Sequence, residues 1–373
     1  MQLRERLAAI PAARGDGRRA DPLARLRRPR VPFVTREEHL AIDDLALAVV
    51  GRTPPDAMLL EQLGLRGDAP TRWGEILFLD TETSGLAGGA GTYVFLLGTL
   101  EIADGEIVVR QHALFDLGQE RAFVEEIATY LGRFRACASY NGKRFDLPLL
   151  KDRVALHFRA TLSVDAAHLD LLHPARRWWR ARTGSARLRD LEDRVLMDPR
   201  EDDLPGDEIP RTYFTFLATG DESLLSPIAA HNRRDLLALV RLADRMCRVV
   251  IAAREGRTPL DAYEAFAMAA VFERHGETRA ARECLEAAFH DGDAALRRRA
   301  ALPYARSLEL EGAAERAIAV LEQVLTLGDG GSRSWRDSAE SRLRRLLRVR
   351  AREATRAART RPRAGRRGFA TSP

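Results

Sequence analysis

Three short stretches of the chain carry carboxylates where they could do chemistry. The first is Asp80-Thr81-Glu82. Side chains alternate along a strand, so Asp80 and Glu82 would leave the same face, about 7 Å apart along the chain. They stand where the apolar run EILFL ends and a glycine-rich turn, Gly85 to Gly91, begins. Two carboxylates at such an end can hold a hard divalent cation; the plainer alternative is a polar strand end in solvent. The second stretch is Tyr140-Asn141-Gly142-Lys143-Arg144-Phe145-Asp146, which follows an apolar run and opens LPLLKDRVALHF. Taken alone, Asp146 is equally a helix N-cap and Asn-Gly a tight turn. The third is His231-Asn232-Arg233-Arg234-Asp235. On a helix, positions i and i+4 share a face, so His231 and Asp235 point the same way, as a site pair or as a solvated ion pair.

The combination is more specific than its parts. Four carboxylates around one cleft repel each other, by roughly 4 kcal/mol for two charges about 4 Å apart at an effective dielectric near 20. Two bound Mg²⁺ or Mn²⁺ ions would neutralise them and would clamp the attacking and leaving oxygens of a phosphodiester. Asp80, Glu82, Asp146 and Asp235 are then the expected metal ligands. His231 is the expected proton acceptor, imidazole being the side chain that titrates nearest neutral pH. Thr81, Thr83 and Asn141 lie beside these ligands and are assigned to substrate.

The elements that must position this set begin in residues 31–72, which read as short helices (EEHLAIDDLALAVV, AMLLEQLGL) around a Pro-Pro pair. From Glu75 the pattern becomes α/β. EILFLD suits a buried strand. TYVFLLGTLEI and EIVVRQHALF are joined by Ala103-Asp104-Gly105, and Asp-Gly between two β-rich runs signals a hairpin. A helix near 119–132, a strand ACASYN, a helix from Asp146 and a short strand in SVDAAHLDLL follow. PARRWWRAR, ARLRDLEDRVL, RTYFTFLATG and SPIAAHNRRDLLALVRLADRMCRVVIAA read as helices. Three antiparallel strands, then helix, strand, helix, strand, is the order of a ribonuclease H-like α/β fold, a mixed sheet with helices on both faces.

From about Leu260 the chain is all helical. AYEAFAMAAVFERHGETRAARECLEAAF resembles YARSLELEGAAERAIAVLEQVL, with Gly276 and Gly312 in the turns, 36 residues apart. That is close to the 34-residue tetratricopeptide period. The expected division is a mobile basic segment 1–30, a ribonuclease H-like domain 31–252, helical repeats 258–350 and a disordered basic tail 351–373.

The chain has 373 residues and a net charge of +6. The positive charge concentrates at the two ends, which suits a polyanion such as nucleic acid. Its basic residues are nearly all Arg, so genome composition is the alternative. No run reaches the roughly 18 apolar residues of a membrane helix, and the N-terminus lacks the apolar stretch of a signal peptide. The three cysteines, Cys137, Cys247 and Cys284, are far apart and in apolar contexts, which excludes a disulfide framework or a CxxC metal knuckle and makes the cytoplasm the expected address.

Other constellations are weaker. Gly85–Gly91 matches neither GxGxxG nor GxxxxGK[ST]. His168, Asp170 and His173 suggest zinc but have no evident fourth ligand. Glu201–Glu208 reads as a solvated turn. Trp178 and Trp179 are candidates for base stacking, with core packing the alternative.

The blocks ILFLDTETSGLAGG, SYNGKRFDLPLL, HLDLLHPARRWWR, DLPGDEIPRTYF and HNRRDLLAL together resemble the YprB-like branch of the ribonuclease H-like superfamily, related to the DnaQ-like exonucleases. The resemblance covers roughly residues 31–250. It implies a metal-dependent 3′→5′ exonuclease acting on a single-stranded DNA or RNA end. Asp80 and Glu82 match the first motif of those enzymes, Asp146 the second and Asp235 the third. His231 precedes Asp235 with three residues between them, the spacing at which relatives carry Tyr; relatives with His have four between. That hybrid leaves a second reading, an adaptor whose helical repeats bind a protein partner.

Overall fold

The computed structural model describes residues 33–360 except 64, 66–69, 86–90, 104, 161–166, 257–259 and 328–332. The basic segment 1–30, most of the glycine-rich turn and Asp104 of the expected hairpin lie outside the described residues. The chain divides into two compact units, Met1–Ile251 and Ala252–Pro373.

The first unit is built on six strands: β1 (Phe33–Ala41), β2 (Ile76–Thr83), β3 (Val94–Ala103), β4 (Glu106–Leu114), β5 (Ala136–Ser139) and β6 (His168–Asp170). They lie in the order β1-β4-β3-β2-β5-β6. The first four pair antiparallel, while β5 and β6 run parallel to β2. This is the mixed sheet of a ribonuclease H-like fold. Ile76, Leu77, Phe78 and Leu79 are all buried, because β2 is central and covered on both faces. The β3–β4 turn keeps Gly105 at φ +85°, a conformation that an L side chain resists.

One element departs from the expectation. Residues 33–41, which include the EEHLA expected to start a helix, form β1, and the antiparallel set has four strands. Unpaired, β4 would present a row of free N–H and C=O groups at the sheet edge. Pairing with β1 satisfies them, and side chains add to it: Thr35 bonds His112 at 3.0 Å, and Arg110 meets Glu37 at 2.7 Å.

The longer helices of the unit are α1 (Ala57–Gln62), α2 (Glu120–Leu131), α3 (Asp146–Phe158), α4 (Leu172–Trp178), α5 (Ile209–Thr219) and most of α6 (Leu225–Glu255). Leu77, Leu79, Phe95 and Leu97 of the sheet form one core with Phe123 and Ile127 of α2 and Tyr213 of α5. The Phe95 and Tyr213 rings stack at 3.7 Å. Trp178 and Trp179 are both buried. They pack the core and offer no face to a base, since two large apolar rings contribute more area inside than out. Asp244 of α6 accepts from the N–H groups of Ala48, Val49 and Val50 at 2.7–3.0 Å, tying the chain before α1 to this helix.

The second unit contains α7 (Ala262–Arg274), α8 (Thr278–Asp291), α9 (Ala294–Leu310), α10 (Ala314–Leu325) and α11 (Arg333–Thr360). Gly276 and Gly312 stand in the α7–α8 and α9–α10 turns at φ +74° and +78°. Asp261 and Asp293 cap α7 and α9 through the N–H groups of Tyr263 and Leu296. Helix α11 runs through Thr360, so residues 351–360, expected to be disordered, are helical. AREATRAART is rich in Ala, Arg and Glu, and its first breaker, Pro362, comes later. Residues 361–373 lie outside the described residues.

Candidate active site

Register places Asp80 of β2 opposite Gly98 of β3, and Gly98 opposite Gln111 of β4. The missing side chain at Gly98 lets α6 settle onto the sheet through Asn232, which is fully buried. The Asn232 Nδ2 donates to Asp80 Oδ2 at 2.9 Å and to the Asp80 carbonyl at 3.2 Å. Its Oδ1 accepts from Gln111 Nε2 at 3.0 Å. Asp235, three residues further along the same helix, is thereby delivered to the carboxylates of β2.

Asp146 reaches the same place from the other direction. It is the first residue of α3, and its Oδ1 accepts from the Thr81 N–H at 3.2 Å and the Thr81 hydroxyl at 2.5 Å. The turn before it is held by Asp170 of β6, buried and accepting from the N–H groups of Asn141, Lys143 and Leu172 at 2.8, 3.2 and 3.1 Å. Asn141 adopts φ +66° there. A Cβ on Gly142 would lie 2.9 Å from Asp146 Oδ2 and overlap the Ser139 hydroxyl, so only glycine lets the turn approach.

The carboxylates feel one another. Burial pushes Asp80 well above the usual range, and the charges of Asp235, Glu82 and Asp146 push it further, partly offset by Asn232. Glu82 is raised by burial and then by Asp235, Asp146 and Asp203. Burial lifts Asp146 to about 6 against the hydrogen bonds from Thr81. A carboxylate that stays charged in such company needs a cation nearby.

A cation is present, and local sequence patterns did not mark it. Arg200 is buried, and its guanidinium meets Glu192 at 2.6 Å, Asp203 at 3.0 Å and Asp235 directly. Asp203 also accepts from His231 Nδ1 at 3.0 Å. That bond leaves His231 Nε2 facing Asp235 Oδ2 at 3.7 Å. Burial raises Glu192 to about 7 despite Arg200. Asp203 is pushed up by burial, but Arg200 and His231 outweigh this and hold it below the usual range. The stretch 201–208, expected as a solvated turn, thus sends Asp203 inward, because a buried guanidinium and an imidazole stand there to receive it. The clue available was a lone Arg beside acidic residues, which most surface turns also have.

The remaining candidates fall as follows. Thr81 spends its hydroxyl on Asp146, and Thr83 donates to the Gly85 carbonyl at 2.9 Å. His168 Nε2 meets the Ser139 hydroxyl at 2.7 Å and Asp170 serves backbone N–H groups, while His173 is exposed, so these three do not gather as a zinc site. Among the described residues no group of three or more His, Cys, Asp or Glu side chains is drawn together tightly enough to hold a metal ion. Asp80, Asp146 and Asp235 are instead held by Asn232, Thr81 and Arg200. The donor chemistry still fits hard divalent cations, being carboxylate oxygen with no thiolate.

Residues 77–247 match the sequence model of a family described as the RNase_H superfamily. That stretch begins in β2 and ends in α6, and it contains all four carboxylates, Arg200, Asp203 and His231. The chain is also 35% identical over 225 residues to the uncharacterized protein YprB of Bacillus subtilis (strain 168). The aligned region covers 59% of this chain and 54% of that protein, so the chain spans about half the length of this relative. Among the described residues no helix is long and apolar enough to cross a membrane.

Proposed function

We propose that this protein is a metal-dependent nuclease, a 3′→5′ exonuclease that hydrolyses phosphodiester bonds of DNA or RNA with two Mg²⁺ or Mn²⁺ ions. The observation that supports this reading is the pair of hydrogen bonds that joins Asp146 of α3 to Thr81 and Asn232 of α6 to Asp80, bringing both helices to the carboxylates of β2. The ions would supply Lewis-acid activation of phosphate and water when bound. Asp80, Glu82, Asp146 and Asp235 are the ligands assigned to them. Asn232 and Thr81 orient Asp80 and Asp146, so little rearrangement of those two carboxylates is needed on binding. Asp203 holds Nδ1 of His231, which keeps Nε2 turned toward Asp235 to accept a proton. Thr83 and Asn141 border the substrate path in this reading.

The test is digestion of 5′-labelled single-stranded DNA and RNA with Mg²⁺ or Mn²⁺. The expected product is a ladder shortening from the 3′ end, silenced by EDTA and by Asp80→Ala. Cleavage that survives chelation would refute the mechanism. Uncut substrate under both ions would favour an adaptor instead. The helical unit, residues 258–350, is assigned to a protein partner or to holding substrate, on the 36-residue spacing of its two helical hairpins. Deleting residues 258–373 should then alter partner or substrate binding and leave Mn²⁺ binding intact.

A further inference from the structure

Asp235 is the one proposed ligand whose present partner is itself a cation. Resting on the metal reading above, we propose that Arg200 is a built-in rival of the divalent ion, its guanidinium and the ion competing for Asp235. The two cannot share that carboxylate comfortably, because a guanidinium in contact with Asp235 puts a full positive charge beside an arriving dication.

The surroundings suit a group that changes partners. Arg200 is buried, and a buried cation left without a counter-charge is strongly unfavourable. Glu192 and Asp203, at 2.6 and 3.0 Å, would keep it paired after it leaves Asp235. The guanidinium therefore needs only a small rotation, not expulsion into solvent. The segment that carries it has non-glycine residues in left-handed conformation on either side, Met197 at φ +56° and Asp202 at φ +50°. It also follows a π-helical turn, Glu192–Leu196. Both features sit where a chain changes direction under constraint. The arrangement keeps the acidic site neutralised before metal arrives and sets a threshold for loading.

The experiment is Mn²⁺ binding to the full chain without substrate, by calorimetry and by the EPR signal of free Mn²⁺. The proteins are wild type, Arg200→Gln, the double variant Glu192→Gln/Arg200→Gln, and Arg234→Gln. The double variant removes the buried carboxylate that Arg200→Gln would orphan. Arg234→Gln removes the same charge from the rim, where Arg234 lies 3.4 Å from Asp203. Both Arg200 variants should bind Mn²⁺ at least about tenfold tighter than wild type, within the range seen when groups around a metal site are changed. Arg234→Gln should change affinity less than about threefold, as for an exposed charge. Unchanged or weaker binding by the Arg200 variants overturns the competition alone, as does an equal gain from Arg234→Gln. Absence of Mn²⁺ binding by every protein overturns the competition together with the metal reading beneath it. A wild-type crystal soaked in Mn²⁺ gives a check independent of any variant. An ion on Asp235 with the guanidinium moved off it supports the rivalry, and both on that carboxylate at once overturns it.

Discussion

Replacing Gly98 by alanine should damage the protein through one side chain on another element. A Cβ at position 98 would overlap Asn232 Oδ1 and lie 2.7 Å from its Cγ and 2.8 Å from Nδ2. The Asn232 amide cannot swing aside freely, since Gln111 holds one end and Asp80 the other. Overpacking of this kind typically costs about 1–3 kcal/mol. Losing the hydrogen bond to the Asp80 carboxylate adds about 1.5–3 kcal/mol. A loss near 3 kcal/mol would lower the melting temperature of the first unit by roughly 6–12 °C. The assay is thermal and urea unfolding of wild type, Gly98→Ala, Asn232→Ala and the double variant. With Asn232 truncated, the added methyl group has room, so Gly98→Ala should then change stability by less than about 0.5 kcal/mol, a strongly non-additive cycle. A full penalty in the Asn232→Ala background would refute the reasoning and point to the backbone of β3. Under the metal reading, Gly98→Ala should also weaken Mn²⁺ binding by about 10–100-fold, because Asp80 loses the group that aims it.

In EDTA, the raised carboxylates should make the site a source of pH-dependent stability. Burial lifts folded Asp146 to about 6 and folded Glu192 to about 7, above the ordinary carboxylate range. The folded state therefore binds more protons, so this stability is fully present below the unfolded values and is lost as pH rises through about 6 to 7. Between wild type and Asp146→Asn, the difference in unfolding free energy should shift against wild type as pH rises from 4 to 7; a flat difference would contradict the assignment. Saturating Mn²⁺ should flatten the wild-type dependence if the ion replaces those protons. Elsewhere in the first unit, Arg153 and Glu120 form a buried ion pair, with His157 Nε2 2.9 Å from Glu120. Glu120→Ala should cost about 3–5 kcal/mol by removing the carboxylate that Arg153 meets in the interior, read from denaturant midpoints. Gly276→Ala and Gly312→Ala, both at φ above +70°, should each lower the stability of the helical unit by about 1 kcal/mol and leave Mn²⁺ binding untouched.

Much of the architecture was legible because it rests on local periods. A fully apolar run of four before Asp80 suits a covered strand, and the alternation along it puts Asp80 and Glu82 on one side. Gly105 marked the β3–β4 connection, and the i, i+4 spacing set His231 over Asp235. Gly276 and Gly312 marked the two helical turns. Strand β1 is not legible locally because its residues are half-exposed and weakly patterned, and its conformation comes from an edge of β4 lying about 70 residues away in sequence, as Arg110 and Glu37 do at 73.

The site divides along the same line. Residue types and spacing determined which carboxylates could act, since charge and alternation are properties of short segments. The tertiary structure alone decided what surrounds them. Asn232 finds Asp80 across 152 residues, Asp203 finds His231 across 28 and Arg200 finds Asp235 across 35. Such pairings follow from where helices land on a sheet, because a buried charge must take whatever partner the packing brings to it.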